Sequence, residues 1–213
     1  MKNNYKTFVI HYKALVERKN VMVKALEVSS LKYEFISNYD RENLKKEIKD
    51  RFTSELPIHY VANFISHIES FRLIVEQEHP FALILEDDSV PSAKFKQKSN
   101  RYLKKLPDDF DLLYISPGKG NFHIPLYKRL PFKFIYKKGS NQTKWGGHGG
   151  SRYADAYFIS NKCAKLMCKE FENADKISLT IDWWKNYIIR KNNLNVYWAE
   201  PTIIETNIYE TSF

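Results

Sequence analysis

Cysteine, glycine and long apolar runs are all scarce in this chain of 213 residues. Its two cysteines, Cys163 and Cys168, both fall in the helix-like segment NKCAKLMCKEF. Five positions apart on a helix they point to different sides, which disfavours a disulfide between them. No CxxC pair is present, and this thiol usage suits a reducing compartment. No apolar run approaches the roughly 18 residues of a membrane-spanning helix, and the polar opening MKNNYKTFVIHYK has no signal-peptide core. The expected location is cytoplasmic. The seven glycines are concentrated between Gly118 and Gly150. Their densest cluster, KWGGHGGS, is followed by neither GKS nor GKT and is not a P-loop. Carboxylates are in the minority, with 25 Asp and Glu against 34 Lys and Arg, for a formal net charge of +9. That balance points to anionic partners: nucleic acid, a membrane surface or phosphorylated small molecules. Nucleic acid is not expected, because no recognised binding motif appears and the positive charge is scattered.

What is present is enough for a core. Hydrophobic residues make up 43% of the chain and aromatics 15%, which excludes global disorder. The apolar run TFVIHY (7–12) reads as a first buried strand, and residues 13–28 as an irregular helix. YEFISNYD (33–40) reads as a second strand ending in a turn, and 41–52 as charged and helical. In residues 59–80, Val61, Phe64, Ile65, Ile68, Phe71 and Val75 recur at spacings of three and four, the pattern of an amphipathic helix. Pro80 stops that helix and the strand FALIL begins at once. A basic helix (92–107), a strand (110–116), loops with a hairpin around FKFIYKKG, a strand (155–160) and a helix (161–172) capped by Ser160 or Asn161 follow. The chain continues through a helix over 179–193, with Thr180 as its cap, and a strand over 195–200. Strands alternating with helices predict an α/β fold with a mainly parallel sheet. No repeat, low-complexity segment or linker divides the chain, so residues 1–213 are expected to form one domain.

FALILEDDSV (81–90) runs five apolar residues directly into Glu86, Asp87 and Asp88. Ligands of open α/β sheets gather beyond the carboxyl ends of strands, where this trio falls. Adjacent carboxylates repel, and a divalent cation with oxygen ligands would offset that repulsion. If the strand continues, alternation puts Glu86 and Asp88 on one face and Asp87 on the other. From these residues alone, a solvated, capped turn accounts for the run equally well.

The segment ISHIESFRLIVEQEHPFALILEDDSV resembles the central signature of glycosyltransferase family 25, which includes bacterial lipooligosaccharide galactosyltransferases and collagen galactosyltransferases. TFVIHYKALVERKNVM, LPDDFDLLYIS, DAYFISNKCAKLM and IDWWKNYIIRKNNLNVYWAEPTIIETN resemble further family segments, in order. Two departures stand out. His59, Tyr60, Val61, Ala62 and Asn63 replace a Gly-Glu-Ile-Gly-Cys stretch, and Cys163 replaces a glycine. The resemblance implies a GT-A-like (Rossmann-like) nucleotide-sugar-binding fold, a UDP-galactose or UDP-glucose donor, Mn²⁺ or Mg²⁺, and inversion at the anomeric carbon. It gives the acidic trio the part of a DxD motif, as in lipopolysaccharide biosynthesis and other glycosylation.

On that resemblance Asp88 is the first metal ligand, with Glu86. Glu86 and Asp87 are also placed for metal or ribose contact. Asp182 in TIDWW is the candidate base, although a carboxylate in a helix's first turn also complements the helix dipole and needs no catalytic part. His11 and Tyr12 end the first strand, where a uridine would lie, and Arg18 suits bidentate contact with phosphate. His148 belongs to a glycine-rich loop that could close over the donor, or to a plain surface loop. Trp183 or Trp184 offers a ring to a sugar face, and the other belongs to the core. His67 reads as a core or supporting histidine. The basic run Lys94, Lys96, Lys98, Arg101, Lys104 and Lys105 is a solvated face or a peripheral contact with an anionic membrane. The acceptor is a glycan, a lipid-linked sugar or hydroxylysine. A non-catalytic nucleotide-sugar or glycan-binding module with the same fold is the competing reading, against which the intact trio argues.

Overall fold

The computed structural model describes residues 5–118, 120–138 and 149–206. The chain forms β1 (Lys6–Ile10), α1 (Val16–Val28), β2 (Tyr33–Ile36), the short α2 (Lys46–Lys49), α3 (Ile58–Glu76), β3 (Phe81–Glu86) and β4 (Ser89–Pro91). Then come α4 (Phe95–Lys105), β5 (Leu112–Tyr114), β6 (Ile135–Lys137), β7 (Ala156–Ser160), α5 (Asn161–Glu172), α6 (Ile181–Lys191), β8 (Val196–Ala199) and β9 (Ile204–Thr206).

A seven-stranded sheet has the order β2-β1-β3-β7-β5-β8-β6. β1 is parallel to β2 and β3, and β5 is parallel to β8. β7 lies antiparallel between β3 and β5, and β6 is antiparallel to β8. Five of the seven strands therefore share one direction. The expected α/β architecture with a mainly parallel sheet is the one that forms.

Alternation along the strands feeds two cores, one on each face. Phe8, Ala82, Ile84, Tyr157 and Trp198 pack under α3, α5 and α6. Val9, Leu83, Leu85, Phe158 and Tyr197 pack under α1 and α4. On α3 the buried stripe is Val61, Phe64, Ile65, Ile68, Phe71 and Ile74. Ile74 takes the place expected for Val75, which is half-buried. Helix α3 ends before Pro80: Glu78 turns left-handed at φ 54°, and His79 N–H donates to the Ile74 carbonyl at 3.0 Å. Ser160 caps α5, its Oγ accepting from Cys163 N–H at 3.2 Å.

The sequence pattern did not anticipate a small ribbon in which β4 pairs antiparallel with β9. It begins directly after the acidic trio and fixes where the chain goes beyond Asp88. The hairpin expected around FKFIYKKG is instead a strand, β6, whose partner is β8, distant in sequence.

Candidate active site

The carboxyl ends of β1 and β3 open into a cleft. His11, Tyr12 and Arg18 line it from β1 and α1, and Glu86, Asp87 and Asp88 from the end of β3. Tyr39, Asp40 and Arg41, after β2, contribute another wall, and His59, Ala62, Asn63 and Ser66 of α3 close it.

Strand alternation decides where the trio points. Ala82 and Ile84 face α3, so Glu86 does too. Its Oε1 accepts from Asn63 Nδ2 at 2.9 Å and lies 3.3 Å from His67 Nε2. Asn63 and His67 are one helical turn apart and grip the same oxygen. Asp87 has the parity of Leu83 and Leu85 and faces α1. His11 Nδ1 lies 2.8 Å from Asp87 Oδ2, and Arg18 Nη1 donates to Asp87 Oδ1 at 3.3 Å. The strand stops at Glu86, the chain turns through Asp87 and Asp88 into β4, and Asp88 comes within 3.9 Å of Arg18 Nη1. The shared face expected for Glu86 and Asp88 assumed that the strand ran on.

A second group of buried polar residues lies behind Glu86. His67 Nδ1 is 2.8 Å from the Tyr157 hydroxyl. Burial, then the Lys185 charge, pushes the imidazole's pKa well down, and burial pushes the Tyr157 phenol well up. A neutral His67 that donates from Nε2 to Glu86 and accepts from Tyr157 at Nδ1 satisfies every group in the chain. Lys185, on α6, is fully buried, and its Nζ sits 3.5 Å from the Tyr157 ring centroid and 5.0 Å from that of Tyr114. It has no hydrogen-bond partner among the described residues. Burial lowers its pKa, and the carboxylates of Asp182, Glu86 and Asp155 oppose that shift.

Asp182 occupies the first turn of α6. Desolvation raises its pKa, Lys185 works against the rise, and Glu86 and Asp155 add to it. Its Oδ1 is buried and has no partner among the described residues. Asp155, just before β7, is pushed up to about 6 by burial, against a hydrogen bond from Ser116 and with further upward pressure from Glu86 and Asp88. Its backbone carbonyl accepts from Glu86 N–H at 2.8 Å, and its own Oδ1 has no partner among the described residues. Glu86, Asp87, Asp88, Asp155 and Asp182 thus lie at one end of the sheet, with Arg18 beside Asp87 and Asp88, Lys185 acting on Asp182, and Arg152 acting on Asp155.

Glu86 and Asp88, which line the cleft, are hard oxygen donors of the kind a divalent cation takes. Among the described residues, no three His, Cys, Asp or Glu side chains stand together as a ready ligand set. The fit is therefore to a cation held by one or two carboxylates, with the remaining ligands supplied by a diphosphate.

Six of the expected site residues, His11, Tyr12, Arg18, Glu86, Asp87 and Asp88, meet in one cleft. Asp182 is not among the residues lining it and lies on the α6 side of Glu86. His148 lies outside the described residues. Just after it, Gly149 takes φ 90° against Asn186 of α6, and Ser151 N–H donates to Asn186 Oδ1 at 2.7 Å. Trp184 is the core tryptophan, 5.1 Å from Phe64 ring to ring, while Trp183 is half exposed. Sequence reasoning missed Tyr39, Asp40, Arg41, Asn63, Asp155 and Lys185. One signal was available for Asn63: it precedes His67 by one helical turn, within the stretch that departs from the family pattern.

The model of Glycosyltransferase family 25 (LPS biosynthesis protein) matches residues 4–183. The class is therefore a glycosyltransferase. Within that class, the chain belongs to glycosyltransferase family 25. No curated protein matches it. It is similar to a solved glycosyltransferase involved in the glycosylation of the major capsid of PBCV-1, at TM-score 0.40 and 8% identity, over 93% of this chain and 95% of that one. It is also similar to mouse xyloside xylosyltransferase 1 in its apo form, at TM-score 0.39 and 9% identity, over 92% and 97%.

Proposed function

We propose that this protein, acting as one domain, transfers a hexose, galactose or glucose, from a UDP-sugar to a glycan, lipid-linked sugar or hydroxylysine, with inversion at the anomeric carbon. The observation that carries the reading is that, in a family 25 chain, the acidic trio, Arg18 and His11 line one cleft, with Arg18 beside Asp87 and Asp88 and His11 beside Asp87. A nucleotide in that cleft would place its base against the end of β1 and its phosphates toward Arg18. The guanidinium, now shared between Asp87 and Asp88, would turn part of its donor fork to phosphate.

Asp88, with Glu86, would hold Mn²⁺ or Mg²⁺, which supplies neutralisation of charge on the departing diphosphate. Asn63 and His67 fix Glu86 in orientation. Asp182 takes the proton of the acceptor hydroxyl at its unpartnered Oδ1. The acceptor oxygen bonds to the anomeric carbon as the bond from that carbon to the phosphate oxygen breaks, and UDP leaves. Burial brings the pKa of the Asp182 carboxyl up to about 7, near the pH at which it must take that proton, and Lys185 favours its ionised form. His148 would meet the donor from the glycine-rich loop.

The test is Asp88→Asn. Wild-type protein should gain thermal stability with UDP and Mn²⁺ together beyond UDP alone, and should slowly hydrolyse one member of a UDP-sugar panel. The variant should lose the metal-dependent part and at least about a hundredfold of the hydrolysis. Binding without hydrolysis of any donor supports a non-catalytic module instead. Absence of any UDP effect removes the donor assignment altogether.

A further inference from the structure

We propose that α4 and the segment 126–133 together form a docking surface for an anionic lipid bilayer. The proposal names where a lipid-linked acceptor would be met, and it stands on surface chemistry that involves neither donor nor metal.

Four large apolar side chains protrude from one short stretch, LYKRLPFK. Leu126 is 78% exposed, Tyr127 83%, Leu130 60% and Phe132 87%. Single exposed apolar residues are ordinary, but four in sequence proximity form a patch that needs a partner. The display is built, because the polar groups of the segment are tied inward. Arg129 Nε donates to the Ile124 carbonyl at 2.6 Å and Nη2 pairs with Glu200 at 3.4 Å. Leu130 N–H donates to the Tyr136 hydroxyl at 3.0 Å, which donates in turn to the Lys133 carbonyl at 3.1 Å. Phe132 is held left-handed at φ 61°, a costly conformation for a bulky residue.

The exposed charges of the two segments themselves are basic. No Asp or Glu occurs between Leu112 and Ala154, or between Lys94 and Lys105. Helix α4 buries Phe95, Ser99, Tyr102 and Leu103, which turns Lys96, Arg101, Lys104 and Lys105 to solvent. The two elements are contiguous. Tyr102 packs its ring 5.9 Å from that of Phe134, Arg101 lies 5.4 Å over Phe134, and Lys105 borders a shallow depression shared with Leu130 and Phe132.

Apolar and aromatic tips ringed by lysines match a bilayer interface, where the tips enter the acyl boundary and ammonium groups meet anionic headgroups. A second copy of the chain would set like charges against like across the contact. A protein partner is a poorer match, since interface cores are depleted in lysine.

The test is cosedimentation with vesicles. Wild-type protein should bind phosphatidylcholine–phosphatidylglycerol vesicles, bind phosphatidylcholine vesicles at least about tenfold more weakly, and release as salt is raised. Leu126→Ser with Phe132→Ser, and separately Lys104→Glu with Lys105→Glu, should each weaken binding about tenfold or more while leaving UDP-dependent thermal stabilisation unchanged. Equal binding to both vesicle types, or full binding by either double variant, overturns the proposal. So does concentration-dependent self-association or oligonucleotide binding abolished by the same changes in place of vesicle binding. Loss of UDP binding with vesicle binding intact would remove the donor reading alone.

Discussion

Replacing Lys185 by Met should move the ionisation of Asp182 upward. The two residues are three positions apart on α6, which sets their Cβ atoms about 5–6 Å apart. At that separation and an effective dielectric near 20, one unit charge acts on another with about 3 kcal/mol. That is about 2 pKa units. The structure gives the sign: Lys185 is the influence that favours ionised Asp182, against burial and the charges of Glu86 and Asp155. Without it the carboxyl keeps its proton to higher pH, and less of it is available as base near neutrality. The assay is the pH dependence of donor turnover, with the Asp182 carboxyl carbon followed by NMR as a readout independent of activity. Both should show the limb displaced by about 2 units to higher pH. Met has a similar reach, and replacing a buried, unpartnered ammonium by an apolar group should not unfold the protein. Lys185→Gln, neutral but polar, should shift the limb the same way. A folded variant whose carboxyl titrates where the wild type does would refute the reasoning.

Asp155 gives a stability signature in metal-free protein. Its folded pKa of about 6 lies above the roughly 3.9 of an unfolded Asp, so the native state holds the extra proton between those values. Through Asp155 stability should therefore fall as pH rises from about 4 to 6, by up to about 3 kcal/mol, and Asp155→Asn should remove that part of the slope in urea melts, leaving the part due to Asp182. Ser160→Ala removes the acceptor for Cys163 N–H and should cost about 1 kcal/mol in the same melts, with no effect on UDP-dependent stabilisation.

Local pattern made much of this protein legible. The period-2 alternation of β1 and β3 and the spacing of three and four on α3 follow from side-chain geometry within a single element. They were enough to anticipate the helix–strand order, the cap at Ser160 and the acidic trio at a strand's end. His11, Arg18 and the trio were expected at one site, and they line one cleft because parallel β1 and β3 are neighbours with matched carboxyl ends. Where a strand stops is a weaker local signal. The chain leaves β3 at Glu86 and turns through Asp87 and Asp88 into β4, whose partner β9 lies more than a hundred residues later in the sequence.

The sequence by itself determined which faces are apolar, where the carboxylates stand and which family the pattern resembles, since each depends on residues close together along the chain. Only the tertiary structure decided that β7 inserts antiparallel between β3 and β5. That placement carries Asp155 and Tyr157 to Glu86, and with α6 packed over the same face it brings Lys185 and Asp182 into the cluster. Hydrophobic periodicity says that a strand is buried but not beside which strand, because burial is satisfied by any apolar neighbour. The charges that tune the candidate base are consequences of that choice.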